Sequence, residues 1–87
     1  MYVILVYDIE QKRVGKACKF VRKYLSWVQN SVFEGELSAA KLKEIKMGLK
    51  RIIKEDKDSI LIYKMRTRAV VNHETLGVEK NPLDPFI

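Results

Sequence analysis

The run Tyr2-Val3-Ile4-Leu5-Val6-Tyr7 is apolar, β-branched and aromatic without a polar break. It is too short to cross a membrane and offers hydrophobic side chains to both sides. Such a run is a strand buried on both faces, the centre of a sheet. The rest of the chain must then supply neighbouring strands and cover for two faces. Asp8 closes the run, and Gln11-Lys12-Arg13 begins a polar stretch.

From Gln11 to Leu25 the period becomes helical. Val14, Cys18, Val21 and Leu25 make one apolar stripe, and Lys12, Lys16, Lys19 and Lys23 lie opposite it. Arg13 and Arg22 flank the lysines, and this stretch contains no acid. A solvated helix face ordinarily mixes charges to gain pairs one turn apart. Here like charges repel unless an anion is near.

Residues 27–34 predict a second strand, with Gly35 as a turn or bulge and Glu36-Leu37 as a short continuation. Ser38 is a helix N-cap. Leu42, Ile45, Leu49, Ile52 and Ile53 form a second apolar stripe, with Lys43, Lys46, Lys50 and Lys54 opposite. Asp56-Lys57-Asp58 reads as a turn. Ile60-Leu61-Ile62-Tyr63 is a strand running on towards Met65, and Ala69-Val70-Val71 a shorter, later one. Both prolines fall in the last stretch, which reads as an extended tail.

This order predicts an α+β, ferredoxin-like βαββαβ sandwich with a short C-terminal strand. Residues 1–76 would form the domain and 77–87 the tail. The helices would cover one sheet face. The other, still apolar, needs a partner, and a second copy packed sheet face to sheet face is the simplest one. With 87 residues, the chain buries only about two-thirds of its unfolded surface, so a homodimer also helps stability.

The formal charge is +6, from 17 Lys+Arg against 11 Asp+Glu, which favours phosphate-rich partners. Cys18 is the single cysteine, so no internal disulfide forms. The apolar start lacks the basic lead and cleavage site of a signal peptide. A cytoplasmic protein with no membrane partner is expected. No Gly-rich phosphate loop, CxxC pair or HExxH spacing is present.

Asp8 is the sharpest candidate for chemistry. An acid at the carboxyl end of a central strand is rigidly placed and faces the crevice where such sheets bind ligands. The alternative is that it only stiffens the turn into the next helix. One carboxylate is a poor Mg²⁺ site. A two-fold axis beside Asp8 would pair two of them around one ion, which would acidify a water and bind a scissile phosphate. Ser31 could bond a phosphate and Phe33 could stack on a base, against ordinary strand packing for both. Glu10 and the sole histidine, His73, read as surface residues.

Three segments together resemble a known family: Tyr2-Val-Ile-Leu-Val-Tyr-Asp-Ile9, Val28-Gln-Asn-Ser-Val-Phe-Glu-Gly35 and Asp58-Ser-Ile-Leu-Ile-Tyr63. In this order and spacing they look like the Cas-two family, the smaller of the two universal CRISPR adaptation proteins. The resemblance runs from about Met1 to Met65. It implies a ferredoxin-like homodimer in which a late strand, placed at Ala69-Val70-Val71, joins the partner's sheet. It implies spacer acquisition beside the larger CRISPR integrase, and in several members a metal-dependent endoribonuclease or deoxyribonuclease. Carried over by motif, the metal-binding acid is Asp8, and Tyr7, Ser31 and Phe33 join it as catalytic candidates. Arg13 falls where the family often has an arginine after the acid. Many members have Tyr-Gly-x-Arg before Val-Gln, where this chain has Tyr24-Leu25-Ser26-Trp27.

Two functions are thus expected. One is a homodimer holding a single Mg²⁺ between two Asp8 residues and hydrolysing phosphodiester bonds of RNA or double-stranded DNA. The other is a non-catalytic adaptor that bridges integrase dimers and holds prespacer DNA. Lys12, Arg13, Lys16, Lys19, Lys23, Arg66 and Arg68 would contact the nucleic acid in either case. A regulatory ferredoxin-like domain for a small ligand is the generic competitor.

Overall fold

A computed structural model describes residues 1–81. Along the chain run β1 (Tyr2–Asp8), α1 (Gln11–Val21), β2 (Ser26–Gln29), β3 (Val32–Glu36), α2 (Ala39–Ile52) and β4 (Ser59–Met65). The strands form one antiparallel sheet in the order β2-β3-β1-β4. The α+β class and the central place of the first strand are as expected, with β1 paired to β3 on one side and β4 on the other.

Alternation along β1 decides what each face does. Val3, Leu5 and Tyr7 enter the core with Phe33, Ala17, Val21, Leu25, Leu37, Leu42, Ile45 and Leu49. The helices therefore cover this face. Ile4, Val6 and Asp8 point the other way. They lie across from Glu34 and Val32 of β3 and from Tyr63, Leu61 and Ser59 of β4. Leu61 and Tyr63 are more than half exposed, at 55% and 54%, so the second face is open in the single chain.

The helices approach closely at Gly48. A Cβ there would lie 2.1 Å from the Cζ of Phe20, so the missing side chain makes room for that ring. Phe20 in turn packs against Tyr24, with ring centroids 5.4 Å apart. Ser38 caps α2 as expected, its hydroxyl accepting from the backbone N–H of Lys41 at 3.1 Å.

Three expectations are corrected. Residues 27–34 are not one strand but a hairpin, β2 to β3, turning at Asn30 and Ser31. Asn30 has φ 45°, a left-handed conformation that asparagine tolerates, and its carbonyl accepts from Trp27 Nε1 at 3.0 Å. The first helix ends at Val21, earlier than its apolar stripe suggests. Leu25 stays buried from the following turn, its N–H donating to the Val21 carbonyl.

The third correction concerns Ala69-Val70-Val71, which is no strand. A 3-10 turn occupies Arg68–Val70, with the Thr67 hydroxyl accepting from Ala69 N–H at 2.9 Å. A three-residue strand needs a neighbour's edge, and this segment finds none within its own sheet. Gly77 begins the expected tail, and Asn81 donates its side-chain amide to the Trp27 carbonyl. Residues 82–87 of that tail lie outside the described residues. Among the described residues no helix is long and apolar enough to cross a membrane.

Candidate nucleic-acid interface

Asp8 is exposed at the last position of β1, opposite Ser59. Tyr7, its chain neighbour, faces the opposite side because strand side chains alternate. The Tyr7 ring is buried and lies 5.8 Å from that of Phe33. Burial, and then the neighbouring Cys18, push its hydroxyl up to about 12. Tyr7 is therefore a neutral core phenol. Phe33 is fully buried and offers no ring face to a base, which corrects the stacking expectation.

Ser31 sits in the hairpin turn, not inside a strand, and its side chain is partly exposed. Its carbonyl accepts from the Tyr7 N–H at 3.1 Å. The turn is thereby tied to the end of β1. Of the four catalytic candidates, Asp8 and Ser31 share one end of the sheet, while Tyr7 and Phe33 support that end from the core side.

A residue that sequence reasoning passed over holds this end in place. From sequence Asp58 is only part of a polar turn, yet its side chain is fully buried. Oδ1 accepts from Glu10 N–H at 3.0 Å and Arg13 Nη2 at 3.0 Å. Oδ2 accepts from Arg13 Nε at 2.7 Å and Lys54 N–H at 2.9 Å. The Arg13 guanidinium above all, helped by these backbone N–H groups, holds the carboxyl well below the ordinary carboxylate range. One carboxylate thus joins the loop after Asp8, the first turn of α1, the chain leaving α2 and the start of β4. The available signal was position: Asp58 opens the third family-like segment and stands beside Ser59, the register partner of Asp8.

The same bonds define Arg13. Its side chain is only 12% exposed, and Nη2 also donates to Glu10 Oε1 at 2.7 Å. Arg13 is a clamp on the β1–α1 loop, with its donors directed inward. Lys12, Lys16, Lys19 and Lys23 are exposed, as are Lys43, Lys46, Lys50 and Lys54 of the second stripe. Arg66 is exposed just beyond β4. Arg68, also exposed, lines a cleft of about 280 Å³ with Tyr2, Ser26 and the buried Glu34.

Within one chain Asp8 is a single hard oxygen donor. Among the described residues no three His, Cys, Asp or Glu side chains cluster as metal ligands. The donor type suits Mg²⁺, and a second copy would add a second carboxylate.

Comparison with known proteins places this geometry. The profile of the family described as CRISPR associated protein Cas2 matches residues 1–72. The chain belongs to that family. The CRISPR-associated endoribonuclease Cas2 of Pyrococcus furiosus is 53% identical over 87 residues, all of both chains. That of Thermotoga maritima is 55% identical over 87 residues, covering 100% of this chain and 99% of the relative. A crystal structure of a Cas2 superposes with a TM-score of 0.87 at 49% identity, covering 100% of this chain and 98% of the other. The Streptococcus pyogenes Cas2 crystal structure gives 0.75 at 36% identity, over 88% of this chain and 100% of the other. The fold of this Cas2 family member is thus the one those structures share.

Proposed function

We propose that two copies of this chain pack through the open sheet face, bring their Asp8 side chains together, and cleave phosphodiester bonds with one shared Mg²⁺ during CRISPR adaptation in the cytoplasm. The observation that carries this is the parity of β1. Asp8 lies on the same face as Ile4 and Val6, beside the exposed Leu61 and Tyr63. Covering that apolar face with its own copy, about a two-fold axis that passes beside the end of β1, would gather the two acids at one end of the interface. The relatives named endoribonucleases support the same chemistry.

The pair of Asp8 carboxylates would hold the ion. When bound, Mg²⁺ would supply a more acidic water and offset the charge of the scissile phosphate. The Asp58–Arg13 clamp fixes the loop that follows Asp8, Tyr7 and Phe33 brace the strand beneath it, and Ser31 offers a hydroxyl to the phosphate. The exposed lysines raise the local concentration of RNA or DNA without reading its sequence. Residues 1–76 form the working unit, with 77–87 appended.

The lysine faces also favour a second reading. They require no Asp8, and would serve a non-catalytic adaptor that holds prespacer DNA between dimers of the CRISPR integrase. Cleavage of labelled RNA and duplex DNA separates the two. Wild type should cut with Mg²⁺ and stop with chelator, and Asp8→Ala should be inactive. Binding without any metal-dependent cleavage would favour the adaptor.

A further inference from the structure

We infer that Arg22, laid over the indole of Trp27, is a preset contact for a phosphate of the nucleic-acid backbone. This rests on the nucleic-acid reading above and adds a residue pair to it.

Arg22 Cζ lies 5.7 Å from the centroid of the Trp27 ring, within the range where a ring face attracts a cation. The indole is itself fixed, because Nε1 donates to the Asn30 carbonyl at 3.0 Å. Arg22 caps the end of α1, its N–H donating to the Cys18 carbonyl at 3.0 Å. The indole is therefore anchored through its own side chain, and the Arg22 main chain from which the guanidinium extends is fixed.

The contrast with Arg13 shows what this hold leaves free. Arg13 spends its donors on Asp58 and Glu10. Arg22 is exposed, and among the described residues no carboxylate pairs with it. No acid occurs anywhere from Gln11 to Leu25. A guanidinium held over a ring face spends no N–H donor on a carboxylate, so its fork stays available to phosphate oxygens. An exposed arginine normally loses rotamer freedom on binding, and the ring has already restricted this one. Lys19 of α1 and Lys23 of the turn that follows are exposed and supply the surrounding positive field.

The experiment is fluorescence anisotropy of the full chain with a labelled DNA duplex and an RNA strand of matching length, titrated at several salt concentrations. Thermal melts check that each variant is folded. Arg22→Ala should weaken binding about tenfold and make the slope of log K against log salt shallower by about one. Arg22→Lys should keep the slope but lose several-fold in affinity, because charge remains and the fork is gone. Trp27→Leu should also weaken binding several-fold with the slope unchanged, and Trp27→Phe should restore most of the loss. Folded Arg22→Ala with wild-type affinity and slope overturns the inference, as does Trp27→Leu with wild-type affinity. A wild type that binds neither probe defeats the underlying nucleic-acid reading instead, and the contact falls with it.

Discussion

The Arg13 guanidinium grips the Asp58 carboxylate through two hydrogen bonds, Nε to Oδ2 at 2.7 Å and Nη2 to Oδ1 at 3.0 Å. The residues are 45 apart in the chain, and the pair closes the sheet end that carries Asp8. Its pH dependence has a definite sign. Asp58 is depressed in the folded state, so it contributes stability above the unfolded aspartate value of about 3.9. That contribution disappears as the pH falls from about 4 towards the lower folded value. Urea midpoints should therefore drop steeply below about pH 4 in the wild type. Asp58→Asn should be less stable at pH 7 and show a shallower acid decline. Identical profiles for the two proteins would show that the clamp does not contribute.

Gly48 and Phe20 should be coupled. Alanine at Gly48 gains about 1 kcal/mol of helix propensity but must displace a ring lying 2.1 Å from its Cβ. Overpacking of this kind costs about 1–3 kcal/mol, so Gly48→Ala should be net destabilising. In a Phe20→Ala background the same change should become stabilising by about 1 kcal/mol. A double-mutant cycle by urea denaturation measures the difference.

The open sheet face should carry the self-association. Leu61 is exposed in the single chain, so Leu61→Lys should alter the folding of that chain by no more than about 0.5 kcal/mol. In the proposed dimer the new charges would be buried against an apolar partner. Sedimentation velocity should show a dimer for wild type and a monomer for Leu61→Lys. A dimeric Leu61→Lys would place the interface elsewhere.

Much of this molecule was legible in the residues. The unbroken apolar run placed β1 at the sheet centre, and the helical spacing of lysines marked two exposed basic faces. The hairpin was hidden because Asn30 and Ser31 interrupt a β-favouring stretch without glycine or proline, and only the left-handed φ of Asn30 reveals the turn. Phe33 and Tyr7 looked available because a period of two says which residues share a face, not which face the helices cover. Asp58 is the residue whose role its sequence context hides most completely. Its partner Arg13 is distant in sequence, and an acid in a polar turn gives no local sign of burial. Ala69-Val70-Val71 has strand-forming residues, but a ladder needs an edge that one chain does not offer it.

The shared-ion geometry is tested most directly by calorimetric titration of Mg²⁺ into wild type and Asp8→Asn. The account predicts one ion for every two chains in the wild type and loss of that binding in Asp8→Asn. One ion per chain, or Mg²⁺ binding that survives Asp8→Asn, would contradict it.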